Sequence, residues 1–230
     1  MPSNAISAGD QANDAGGGKN ATTRRNLSRI MSITAALEES QIVGREDEKT
    51  RILQLILDAS SKEFQVISVW GMGGLGKTAL VKDIYQSQEL GIAFQKRACV
   101  AVMKPFNHEE LLGSLVMQLV VETSEENGTM HSLSNAKKTL SSVKELKDEL
   151  ESLLKEKRCL LVFDDLSSTN EWDLIRGSLP QTENASRIIV TTREVSIANH
   201  CSKKQENVYK LERLNKKHAL GLFTKKVLNE

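Results

Sequence analysis

Apolar positions along this chain follow two spacings. Residues 64–70, 97–102, 159–163 and 187–191 are short, nearly continuous aliphatic and aromatic runs, the pattern of strands buried on both faces, with 208–211 as a weaker fifth. Between them the spacing lengthens to that of helices. Ile52, Leu53, Leu55, Ile56 and Leu57 predict one, and residues 77–85 predict another directly after a glycine-rich turn. Residues 109–121 predict a third, with Leu112, Leu115, Val116 and Leu119 on one face, and a last helix is expected from Lys216 onward. Val143, Leu146, Leu150 and Leu153 have the 3-4-3 spacing of a coiled-coil seam, but it lasts less than two heptads, so packing against the sheet is the expectation. Strands alternating with helices predict an α/β fold, a mainly parallel sheet flanked by helices.

The first 41 residues break this pattern. Gly16, Gly17 and Gly18 and many Ser, Thr, Asn and Ala leave too little apolar material to offset the entropy of ordering, so 1–41 reads as a flexible N-terminal tail. Arg24, Arg25 and Arg29 cluster there, while Asp10 and Asp14 argue against a transit peptide. The domain proper is expected from residue 42, with 42–207 as its main part and 208–230 leading into a further helical segment. Thirty-one basic against thirty acidic residues give a formal net charge of +1, so no global field draws in nucleic acid or anionic lipid. The paired lysines at 203–204, 216–217 and 225–226 are interspersed with acids and lack an aromatic platform, and direct nucleic-acid binding is not expected. No apolar run approaches the roughly 20 residues that span a bilayer. These features predict a soluble, cytoplasmic protein without membrane insertion, a membrane-peripheral or nuclear location being the alternatives. Cys99, Cys159 and Cys201 have no CxxC spacing, and His200 beside Cys201 lacks further ligands, so reduced thiols are expected rather than a disulfide or zinc site.

The segment Gly71-Met72-Gly73-Gly74-Leu75-Gly76-Lys77-Thr78 fits GxxxxGK[ST] and stands between an apolar strand and a helix, the context this motif needs. Glycines let the backbone approach phosphate with its N–H groups inward, and the following helix, with Ala79 in its first turn, adds the positive end of its dipole. Lys77 is expected at the β- and γ-phosphates, and Thr78 at Mg²⁺. Residues 158–165 form an apolar strand ending in Asp164 and Asp165, like a Walker B strand; Asp164 is the expected magnesium ligand. For Asp165 two readings stand side by side, orienting or deprotonating an attacking water, or capping the next helix or turn. Residues 186–193 form another strand ending in Thr191, Thr192 and Arg193, and the guanidinium is the candidate sensor of a γ-phosphate if this strand lies between the other two.

Val43-Gly44-Arg45, GMGGLGKT at 71–78, LLVFDDL at 160–166, SRIIVTTR at 186–193 and YKLERLNKKHALGLF at 209–223 together resemble the NB-ARC domain of plant NBS-LRR disease-resistance proteins. The resemblance covers residues 42–230 and departs just after the acid pair, where Leu166 and Ser167 stand in place of the family's usual valine and tryptophan. It implies a P-loop NTPase fold in which ADP or ATP with Mg²⁺ acts as a conformational switch in defence, with slow hydrolysis resetting it. It also implies Val43 and Arg45 near the adenine, and residues 208–230 at the end of the nucleotide-binding part and the start of ARC1. The family's N-terminal domains, GLPLA and MHD motifs and leucine-rich repeats are not found in these 230 residues. Two competing expectations follow: a steadily turning over ATPase, or a truncated interaction module or decoy that binds related immune receptors without nucleotide turnover.

Overall fold

The computed structural model describes residues 42–58, 60, 62–127, 142–155 and 157–228. The expected tail and its arginine cluster lie outside them. Helix α1 (Glu46–Leu57) leads to β1 (Gln65–Trp70), α2 (Lys77–Tyr85), the short α3 (Gln88–Ala93) and β2 (Lys96–Ala101). Then come α4 (His108–Asn127), α5 (Val143–Leu154), β3 (Cys159–Leu166) and α6 (Thr169–Arg176). The chain ends in β4 (Arg187–Thr192), α7 (Val195–Cys201), a 3₁₀ turn (Gln205–Asn207), β5 (Val208–Lys210) and α8 (Lys216–Leu228).

The five strands form one sheet in the order β2-β3-β4-β1-β5, every neighbouring pair parallel. Parallel strands require crossovers, and the helices cover both faces. Because side chains alternate along a strand, Cys159, Leu161 and Phe163 face α4, α5, α6 and α7 together with Ile188 and Val190. Leu160, Val162 and Ile189 face α1, α2 and α3. These strand side chains are fully buried, and each contributes roughly 1.5–3 kcal/mol relative to exposure. The continuous apolar runs of the sequence are thus a consequence of two buried faces.

The 20-residue helix α4 buries Leu112, Leu115, Val116 and Leu119, the stripe its spacing predicts, and extends past the expected end at residue 121. On α5 the seam differs from expectation. Leu146, Leu150 and Leu154 are the fully buried positions, while Leu153 packs at the margin of the core. At 3.6 residues per turn a straight helix keeps i+4 positions on one face, and only supercoiling would return the face to residue 153. Three helices without a matching expectation, α3, α6 and α7, are six to eight residues long, too short for a repeating stripe. A signal for α6 was nevertheless present: Ser168 and Glu171 form a capping box, each side chain bonding the other's backbone N–H. Trp172, the tryptophan displaced from just after the acid pair, sits on α6, buried and edge-on to Phe163 at 6.4 Å between ring centroids. Cys99, Cys159 and Cys201 are buried thiols, and burial pushes Cys99 and Cys201 up to about 12.

Candidate nucleotide-binding site

The C-terminal ends of β1, β3 and β4 converge, and the glycine-rich turn after β1 closes over them. Gly74 and Gly76 hold φ of 78° and 88°, the left-handed region that costs other L-residues roughly 1–2 kcal/mol. The turn therefore folds back tightly before α2 begins at Lys77. At its base a side chain on Gly71 would come within 2.8 Å of the Leu211 carbonyl, so the entry to the turn has no room for one.

Lys77 is buried, and its Nζ donates to the carbonyls of Gly71 at 2.7 Å and Met72 at 2.9 Å. Burial, reinforced by Arg193, pushes its pKa down, against the opposing pull of Asp165 and Asp164. A phosphate would relieve that penalty by supplying negative charge where the protein supplies too little. Thr78 Oγ1 donates to Asp164, lying 2.9 and 3.0 Å from its two carboxylate oxygens. Adjacent ligands of an octahedral Mg²⁺, with bonds of 2.0–2.1 Å, stand about 2.9 Å apart. This hydroxyl–carboxylate pair is thus spaced as two adjacent ligands of such an ion would be.

Between Phe163 and Leu166 the register of β3 against β4 shifts: Phe163 pairs with Val190, but Leu166 pairs with Thr192. One additional residue is accommodated there as a bulge, and Asp165 takes φ of 61°. Thr191 fills the gap. Its Oγ1 accepts from the Asp165 N–H at 2.8 Å and donates to Asp164 Oδ1 at 2.6 Å, so one buried hydroxyl positions both members of the acid pair. The bulge turns Asp165 toward Arg193, whose Nε and Nη2 each lie 3.3 Å from a carboxylate oxygen. Both side chains are well exposed and the distances are long for a charged pair, so the contact adds little to stability. Arg193 also reaches the turn, its Nη1 3.8 Å from where a side chain on Gly73 would begin. Capping of the next helix belongs to Ser168, not Asp165.

β4 lies between β1 and β3, the arrangement on which the reading of Arg193 depended. The sheet order therefore brings Gly71–Thr78, Asp164, Asp165 and Arg193 together. Residues 43 and 45 are placed differently. Val43 is half-buried beside α8, and Arg45 is buried, its guanidinium paired with Glu48 and bonded to the Leu75 carbonyl at 3.0 Å. The bonds of Thr191 to the acid pair, the β3 bulge and this Arg45 contact are not foreshadowed in the sequence. A threonine in a strand reads as ordinary β propensity, and no local spacing announces a bulge.

A family model described as NB-ARC domain matches residues 45–230, most of the chain and every element just described. The chain belongs to the NB-ARC family. Disease resistance protein RPP13 of Arabidopsis thaliana is 34% identical over 184 residues, covering 80% of this chain and 21% of the relative. Disease resistance protein RGA4 of Oryza sativa subsp. japonica is 27% identical over 195 residues, 84% of this chain and 18% of the relative. This NB-ARC chain thus spans about a fifth of the length of these relatives. Among solved structures, Cdc6p from Pyrobaculum aerophilum aligns with a TM-score of 0.53 at 14% identity, over 82% of this chain and 52% of that one, a likeness of P-loop NTPase fold alone. Among the described residues, no helix is long and apolar enough to cross a membrane.

Proposed function

We propose that this NB-ARC domain binds ADP or ATP with Mg²⁺ and works as a nucleotide-dependent switch in plant defence, with slow hydrolysis returning it to the ADP state. The observation that carries the reading is the juxtaposition of Lys77, the Thr78–Asp164 pair and Arg193 around one glycine-rich turn. Backbone N–H groups of residues 71–79 cradle the phosphates, and Lys77 exchanges its carbonyl partners for phosphate oxygens. Thr78 and Asp164 hold Mg²⁺, which when bound neutralises phosphate charge. Arg193 reads the γ-phosphate, and Asp165 orients the attacking water. Val43 lies toward the adenine.

Binding of a fluorescent ADP or ATP analogue to the purified chain, titrated with and without Mg²⁺, tests this. The parent should bind both, and Asp164→Asn should lose most of the gain that Mg²⁺ gives. A folded parent that binds neither would overturn the reading. Turnover near the typical enzyme rate of ~10 per second would instead indicate a working ATPase.

A second reading is favoured by one observation. Leu220, Phe223, Val227 and Leu228 on α8 are all more than half exposed. Such a surface suits an interaction module that binds related immune receptors. A clean monomer on size-exclusion chromatography at high concentration would count against self-association through it.

A further inference from the structure

The turn that holds phosphate in the proposed function needs its N–H groups aimed inward, and glycine alone does not aim them. The conformational freedom that lets Gly74 and Gly76 adopt left-handed angles also lets the intervening peptides rotate. Something outside the turn must fix their orientation.

Arg45 is placed to do so. It precedes α1 in sequence, is 96% removed from solvent by its 4% exposure, and reaches 30 residues along the chain to donate from Nη2 to the Leu75 carbonyl at 3.0 Å. Its Nη1 is held by Glu48 Oε1 at 2.6 Å, one turn into α1. A guanidinium is a planar fork, so fixing one arm on Glu48 fixes the direction of the other. The Leu75–Gly76 peptide is trans, and in a planar trans peptide the N–H points opposite to the preceding C=O. Pinning the Leu75 carbonyl toward Arg45 therefore directs the Gly76 N–H to the opposite side of the turn.

We propose that Arg45 is a positioning residue for the glycine-rich turn, which sets the Gly76 N–H toward the phosphates by holding the Leu75 carbonyl, and that it acts on nucleotide through this peptide rather than by touching the base. The proposal rests on the nucleotide reading above. It also gives the turn a mechanical neighbour. Gly44, beside Arg45, is left-handed at φ 70°, and a side chain there would fall 2.2 Å from the His218 ring on α8. Gly221 of the same helix lies against Val43. The segment that aims the turn is thus clasped by the last helix, so movement of α8 has a direct physical route to the Gly76 amide.

The experiment separates base from phosphate by using an adenine-free probe. Inorganic tripolyphosphate and ADP, each with Mg²⁺, are titrated by calorimetry into the full chain, its Arg45→Lys variant and the Arg45→Gln/Glu48→Gln double variant, which leaves no carboxylate unpaired. Both ligands should weaken by the same factor, about tenfold or more, as expected when a charged hydrogen bond is lost. The Gly76 amide resonance, assigned in the parent, should move in Arg45→Lys before any ligand is added; this readout remains if the double variant does not fold. Weakening of ADP with tripolyphosphate unchanged would place Arg45 at the base and overturn the proposal. So would unchanged affinity for both ligands, or an unmoved Gly76 amide. If the parent binds neither probe, the nucleotide reading itself fails and takes this inference with it.

Discussion

The two ends of the sheet each bury a cation, and the contrast between them separates structure from function. At the N-terminal end Arg187 is fully buried on β4 and donates to the carbonyls of Glu63, Ser186 and Asp58. At the C-terminal end Lys77 is buried and donates to the carbonyls of Gly71 and Met72. Both have pKa values pushed down chiefly by burial. What differs is the setting. Arg187 is a rigid fork among strand ends and backbone oxygens, its sharpest charged neighbour being Arg158. Lys77 carries a flexible stem with rotatable donors, stands beside two carboxylates and starts a helix after left-handed glycines. A buried cation on its own therefore marks packing. One on a flexible stem, next to a hydroxyl–carboxylate pair, is what the proposed phosphate site requires.

The contrast breaks most visibly at Arg187. Arg187→Met removes the donor to three carbonyls in a buried setting, and each acceptor left without a partner costs roughly 1–3 kcal/mol. Urea denaturation should show a loss of about 3 kcal/mol or more, while the molecules still folded bind ADP with unchanged affinity. Thr191→Val is the same size and removes only the hydroxyl that joins Asp164 to the Asp165 amide. A loss of about 2 kcal/mol is expected from the orphaned amide, together with weaker Mg²⁺-dependent binding. A variant that loses stability but keeps its Mg²⁺ response would make Thr191 purely structural. The smallest effect involves protons. His108, stacked on Phe106 and bonded to Ser178 at 2.9 Å, has its pKa lowered by burial, then by Lys147, from the usual 6.5. The unfolded chain then binds the proton more readily than the folded one, so stability falls as pH drops below about 6.5. His108→Gln should flatten that part of the pH–stability curve without altering nucleotide affinity.

How much of this could be read from the chain follows from what each feature requires. The four long strands and their helices were legible because burial on both sheet faces demands continuous apolar runs, and amphipathic helices demand a repeating stripe. Lys77, Thr78 and Asp164 were legible because their chemistry fixes residue type and spacing relative to strand ends. Asp165 was half-legible. Its carboxylate was in view, but its left-handed backbone and its pairing with Arg193 depend on a bulge between β3 and β4, set by pairing of residues far apart in sequence. Arg45 was legible as part of a motif and not as a contact, since its partner lies 30 residues away and is a backbone carbonyl, which carries no sequence signature. The short α3, α6 and α7 fall below the length at which periodicity speaks, and only the Ser168–Glu171 capping box advertised one of them.

The central claim, that Lys77 and its turn bind nucleotide, is tested most directly by the melting temperature of the parent and of Lys77→Ala, with and without ADP or ATP and Mg²⁺. A ligand that binds only the folded state at a hundredfold excess over Kd stabilises it by about 2.7 kcal/mol. For a domain of this size that corresponds to a rise of roughly 5–10 °C. The expected result is such a rise in the parent and its loss in Lys77→Ala, each shift read against that protein's own ligand-free melting temperature, because the substitution also removes the donor to the Gly71 and Met72 carbonyls. A cooperatively melting parent that gives no shift with either nucleotide, or a shift that survives in Lys77→Ala, would contradict it.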